Sequence, residues 1–289
     1  MKSVSLVLGS GGARGYTHIG VIKELIRQGY EIKSISGSSM GALIGALYAC
    51  GKLEDYEKWV TTLSKFDVFK LLDITFNSSG FIKGDKVFKN LDELLGKRDI
   101  EDLPIKFTAV ATDLTAKKEV WFQKGDLKTA IRASISIPTI LTPKKINEHY
   151  FVDGGVINPL PVAPTISDMT DLTICVNLNA DIPNPYEVKK EDSSKNGIFG
   201  YFESEIKKDS IDSSKLSYFN IMQTSINLMQ TALARYKTAE YTPDITINIP
   251  IGIGDFYEFY RAKEFIKIGE KATQKALFEK FKTSSKNSL

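Results

Sequence analysis

Histidine and cysteine are almost missing from this chain, with two of each among 289 residues. Cys50 closes an apolar stretch and Cys175 sits inside "LTICVNL", and neither has a CxxC neighbour or a metal-ligand spacing. Both are expected to be reduced core residues, which excludes a disulfide framework. No cluster of His, Cys and carboxylates has ligand spacing, so no metal and no cofactor is expected. A formal net charge of +3 is too small to argue for a nucleic-acid partner, and it leaves a membrane surface open. No apolar run approaches the ~20 residues of a membrane span, and no charged leader with an apolar core and cleavage site precedes Val4. The protein is therefore expected to be soluble and cytoplasmic.

What is present is ordinary globular material, 42% hydrophobic and 25% charged, enough for a sizeable core. One domain is expected over residues 1–289. "SVSLVL" (3–8) reads as a strand that stops at Gly9, and Ile19, Ile22, Leu25 and Ile26 then recur at helical spacing up to Gly29. "EIKSIS" (31–36) is a second strand, followed by "GSSMG" and the apolar helix "ALIGALYACG". Two strand-to-helix turns in succession predict a parallel sheet. Residues 53–95 read as amphipathic helix interrupted near "NSSGFIKG", "KFTAVATD" (106–113) as a buried strand and "KEVWF" as an edge or hairpin strand. "DLKTAIRAS" is a short helix with Asp126 as N-cap, Pro138 and Pro143 hold an extended connector, and "HYFVDGG" carries a strand into a glycine turn. From 183 to 215 the composition shifts to Ser, Lys, Asp and Glu, predicting a mobile insertion or lid. A long helix, the strand "PDITINIPI" and a lysine-rich helix from about 261 to 282 complete the chain.

"GSSMG" (37–41) places G-x-S-x-G directly between a strand and a helix, the context of a nucleophile elbow. Such a turn holds the serine in an unfavourable backbone conformation with its oxygen exposed, so both flanking positions must lack side chains. The same stretch also fits a plain glycine turn with Ser39 as helix N-cap. An activated serine needs a base, and in the order Ser, Asp, His a histidine must follow the acid, yet none follows His149. His18, one turn into the first helix, reads as a packing residue, and His149, beside Glu148, as a residue of a surface turn. A partly desolvated carboxylate can serve instead, and Asp153 before paired glycines allows the close approach this needs.

The opening "GSGGARG" (9–15) fits neither nucleotide motif. Arg14 stands where a dinucleotide fingerprint needs its third glycine, the second strand ends without an acid for the ribose, and no Gly-Lys-Ser/Thr follows. An oxyanion hole fits better, with the amides of Gly11 and Gly12 at a helix N-terminus donating to a negative oxygen. Arg14 adds positive charge there or pins the loop, or makes a purely structural contact.

In order, "GSGGARG", "GSSMG" and "DGG" resemble the patatin-like phospholipases, compact bacterial members in particular. The resemblance extends through "AIRASISIPTILTP" (130–143) and "DGGVINPLPV" (153–162), covering roughly residues 4–180 well and the last strand and helix more loosely. It implies a three-layer α/β/α fold with a mainly parallel sheet and a Ser39–Asp153 dyad, with oxyanion donors from Gly11, Gly12 and Ala13. It also implies hydrolysis of lipid acyl esters, of phospholipase A, lysophospholipase or carboxylesterase type. A weakly active regulatory or lipid-binding module on the same fold, or an acyltransferase, are the alternatives. The helix carrying Ile221, Met222, Ile226, Leu228, Met229 and Leu233 reads first as core packing and second as acyl-channel lining. The last helix, with Lys263, Lys267, Lys271, Lys275, Lys280 and Lys282, suits weak attraction to anionic lipid or a solvated face.

Overall fold

Every element of the computed structural model lies within residues 1–72, 85–138, 140–186 and 218–286, which are the residues it describes. The 77–84 patch and, from residue 187 onward, the 183–215 segment fall outside them. The two expected strand-to-helix turns open the chain: β1 (Lys2–Leu8) leads through the glycine loop to α1 (Thr17–Arg27), and β2 (Tyr30–Ser38) leads through Ser39 to α2 (Met40–Ala49). Helices α3 (Leu53–Val60), α4 (Lys65–Leu72) and α5 (Asp85–Leu95) precede β3 (Lys106–Asp113), β4 (Lys118–Phe122) and α6 (Leu127–Ser134). Asp126 caps α6 as expected, its Oδ2 accepting the Thr129 amide at 2.9 Å. The connector after Pro138 is not wholly extended, because the Ile140 and Leu141 amides turn back onto the Ile137 carbonyl and β5 (Lys144–Ile146) then forms a hairpin with β6 (His149–Asp153). The segment around Cys175 forms β7 (Leu172–Ala180), and α7 (Tyr218–Glu240), β8 (Ile245–Pro250) and α8 (Ala262–Lys286) follow.

The sheet runs β5-β6-β3-β2-β1-β7-β8, with β4 on β3. Strands β3, β2, β1, β7 and β8 are parallel, so all their C-terminal ends lie at one edge. Alternation assigns the two faces: Leu6, Leu8, Ile35, Phe107, Val176 and Ile247 join the large core beneath α1, α2, α6 and α8, while Val7 and Cys175 face Leu160, Val162 and Ala234 of α7. The result is a three-layer α/β/α fold. Both cysteines are thiols, Cys175 buried and Cys50 half-buried.

One register detail builds the site. β3 pairs with β2 as far as Val110, opposite Ser38, and then runs on for three more residues, Ala111 to Asp113. β4 occupies the other edge of β3 from Ala109 to Asp113, so β6 takes the place vacated at the end of β2, pairing Ala111 with Asp153. Asp153 thus becomes the next residue after Ser38 along that edge of β3.

Candidate active site

Ser39 occupies the bend between β2 and α2 with φ 57° and ψ −126°, a conformation that costs on the order of 1–3 kcal/mol in a residue with a Cβ. Its amide donates to Ser134 Oγ at 3.0 Å, and the Ser134 hydroxyl donates to the Val110 carbonyl at 2.6 Å, tying the bend to α6 and β3. The side chain caps no amide of α2, so the plain N-cap reading of "GSSMG" does not describe it. The bend is possible because α2 starts almost in contact with β1. A Cβ on Gly41 falls 2.0 Å from the Leu8 carbonyl oxygen, backbone that cannot swing aside. Gly41→Ala is therefore expected to lose on the order of 3 kcal/mol or more, lowering the melting temperature by roughly 6 °C or further. A variant that melts within about two degrees of the parent would contradict this packing.

The Ser39 hydroxyl donates to Asp153 Oδ2 at 2.5 Å, and the Gly155 amide donates to Oδ1 at 2.7 Å. The Asp153 backbone is fixed on both sides, its amide donating to the Ser136 carbonyl at 2.9 Å and its carbonyl accepting from Thr112 Oγ1 at 3.0 Å. With only 4% of Asp153 and 2% of Ser39 exposed, the carboxylate loses hydration that two hydrogen bonds do not replace. Burial pushes its pKa up to about 7 against the opposing pull of those two bonds. Ser134 carries no sequence signal distinguishing it from any other helical serine; only its contacts mark it.

The glycine loop lies across the end of this pair. Gly12 has φ 55°, and a Cβ there meets the Phe256 carbonyl at 2.6 Å. Among the described residues no acceptor takes the amides of Gly11 or Gly12, both of which border the same cavity as Ser39. Ala13 does not belong with them: its amide already donates to the Phe256 carbonyl at 2.7 Å and is not available as an oxyanion donor. Arg14 is buried and donates to the Gly254 carbonyl at 3.2 Å and to Asn179 Oδ1 at 3.3 Å, while Asn179 Nδ2 donates to the Ser10 carbonyl at 2.9 Å. Burial lowers the guanidinium pKa to about 10, with Asp255 opposing, so it stays cationic at neutral pH. These bonds tie the loop to β7 and to the segment after β8.

The family model described as patatin-like phospholipase matches residues 6–166. The chain belongs to the patatin-like phospholipase family. An NTE family protein of Mycobacterium tuberculosis is 34% identical over 327 residues, covering 95% of this chain and 91% of its own length. Neuropathy target esterase of Drosophila persimilis is 34% identical over 169 residues, covering 55% of this chain and 12% of its own. In structure the chain resembles VipD from Legionella pneumophila, with a TM-score of 0.56 at 15% identity over 96% of this chain and 67% of that one.

In this patatin-like chain the cavity, about 260 Å³, has Ser39, Asp153, Gly11 and Gly12 at its base. Its walls are apolar: Met222, Ile226 and Met229 of α7 face Ile137, Val156 and Phe256. The first half of α7 is thus a cavity wall rather than core packing, with Ile221, Leu228 and Met229 well exposed. Gln230, one residue past Met229, donates to the Gly155 carbonyl at 3.2 Å and anchors that wall beside the aspartate. Nothing in the sequence marks Gln230 or Phe256 for this role. The histidines stand apart from the cavity. His18 is buried against the Gly9 carbonyl at 2.8 Å with its pKa lowered by burial to about 4, and His149 opens β6, its Nδ1 2.6 Å from Asp113 Oδ2.

Proposed function

We propose that the protein is a serine acyl hydrolase acting on single ester bonds of lipids, with Ser39 as nucleophile and Asp153 as its base. The observation that carries this reading is the 2.5 Å bond from a serine held at positive φ to a buried carboxylate, opening into an apolar cavity. Ser39 Oγ attacks the ester carbonyl carbon while its proton passes to Asp153 Oδ2. The amides of Gly11 and Gly12 receive the negative oxygen, and Met222, Ile226 and Met229 lie along the acyl chain. As the tetrahedral intermediate collapses, the C–O bond to the alcohol breaks and the alcohol leaves with the proton from Asp153. Water then attacks the acyl-serine, giving its proton to Asp153, and the carboxylic acid departs as that proton returns to Ser39. The carboxylate can take this role without histidine because its raised pKa brings its basicity close to that of an imidazole. The match to patatin-like phospholipases and the esterase named among the relatives support the reaction class.

The test is labelling by a fluorophosphonate, which reports an activated serine without requiring the natural lipid. Peptide mass is expected to place the adduct on Ser39, with Ser39→Ala unlabelled and Asp153→Asn labelled far more slowly. A folded parent that takes no label, or takes it elsewhere, overturns the assignment.

A further inference from the structure

The overhang of β3 that brings Asp153 to Ser39 also builds a projecting flange. Beyond the C-terminal ends of the parallel strands stand the β3–β4 turn, residues 114–117, and the tip of the β5–β6 hairpin, residues 147–148. They are joined by the Leu114 amide donating to the Tyr150 carbonyl at 2.9 Å. Leu114 and Tyr150 are each 47% exposed, large apolar groups side by side in water. Around them Lys117, Lys118 and Lys145 are exposed, and the Lys145 ammonium lies 5.7 Å from the centre of the Tyr150 ring. Lys145 approaches Glu148 at 3.7 Å, and Lys117 and Lys118 have no ion-pair partner among the described residues. The other acids here are turned inward or engaged, Asp113 by His149 and two backbone amides, Glu119 by the Trp121 indole.

We propose that this flange docks the protein on an anionic lipid bilayer, with Leu114 and Tyr150 entering the interface and Lys117, Lys118 and Lys145 meeting the headgroups. Apolar and aromatic tips ringed by exposed lysines match both layers of such a surface, the acyl boundary and the negative headgroup plane. A protein partner would have to supply matching acids and an apolar socket together, whereas the bilayer offers both everywhere. Met229 on α7, which lines the cavity and is itself well exposed, lies at the same edge of the sheet. Docking there turns the cavity toward the lipid. The lysine-rich α8 does not serve this purpose: Lys280 Nζ reaches the Asp244 carbonyl at 2.9 Å, just before β8 begins, so the end of that helix lies at the opposite edge from Ser39.

The experiment is sedimentation of the full chain with vesicles of phosphatidylcholine alone or mixed with phosphatidylglycerol, at low and high salt. Binding is expected to the mixed vesicles and to weaken as salt rises. Joint replacement Lys117→Glu, Lys118→Glu and Lys145→Glu is expected to lower it roughly a hundredfold or more. Turnover of a soluble ester and the melting temperature should stay unchanged in that variant, and Tyr150→Ala should weaken binding several-fold. The proposal fails if the parent binds neutral vesicles equally well or binds none. It fails equally if binding survives the triple replacement but is lost on Lys275→Glu, Lys280→Glu and Lys282→Glu. A triple variant whose oligomeric state differs without vesicles overturns it in favour of a contact between copies. Vesicle binding does not depend on turnover, so a parent that binds yet hydrolyses nothing refutes the catalytic reading and leaves this one standing.

Discussion

Ser39→Ala is expected to lower turnover of a soluble short-chain ester by about ten-thousandfold or more, with little change in KM or melting temperature. The loss is large because, among the described residues, this hydroxyl is the only one lining the cavity that donates to a carboxylate. Ser10 also borders the cavity, but its hydroxyl has no carboxylate partner among the described residues, so Ser10→Ala should keep activity within about tenfold of the parent. KM should hold because the apolar walls proposed to take the acyl chain belong to α7 and the segments around Ile137 and Val156. A Ser39→Ala protein that retains a tenth of the parent's kcat, after mass spectrometry excludes contaminating parent, contradicts the nucleophile assignment. The reverse pattern, Ser10→Ala inactive and Ser39→Ala active, moves the nucleophile to the glycine loop.

Asp153→Asn is expected to abolish activity and yet make the protein more stable above pH 7. The carboxyl has a folded-state pKa of about 7, raised by burial, against roughly 4 in an unfolded chain. Between those values the folded state holds a proton that the unfolded state has released. The sign follows: stability is undiminished below about pH 4 and is lost as pH rises through about 7, where the folded protein must carry a buried charge. Asparagine never carries that charge. Its carbonyl can still accept the Gly155 amide and its NH2 can donate to Ser39 Oγ, so neither neighbour is orphaned. The gain at pH 8 is on the order of 3 kcal/mol, or roughly 6–12 °C in melting temperature, shrinking toward nothing at pH 4. The same displaced pKa shapes catalysis. The kcat/KM of the parent should climb about tenfold per pH unit up to about pH 7 and then level, where an ordinary carboxylate would level near pH 5. Melting curves of parent and variant that run parallel from pH 4 to pH 8 would sink the idea of a desolvated carboxylate here. The site therefore stores instability at the position where the chemistry needs a strong base.

Much of this was legible in the chain before any coordinates, and for local reasons. A serine between glycines, after a strand and before a helix, can adopt few shapes, so "GSSMG" narrowed to a strained bend or a plain helix cap; the structure has the strained bend, with the serine buried rather than exposed. The absence of histidine after His149 removed the usual base, and short β-rich apolar runs placed the buried strands. What the sequence left open depended on pairings between distant segments. Asp153 meets Ser39 because β3 outruns β2 by three residues and β6 fills the vacancy, a register relation among three strands that joins residues 114 apart in the chain. Ala13 is lost as an oxyanion donor because the Phe256 carbonyl, brought in by the loop after β8, takes its amide, and no local rule anticipates an acceptor that far along the chain. Arg14 pins the loop because β7 delivers Asn179 beside it. Helix α7 reads by composition as core, and only its position along the edge of the sheet turns Met222, Ile226 and Met229 into a cavity wall. Local sterics decided which residues could do chemistry, and long-range strand register decided which of them meet.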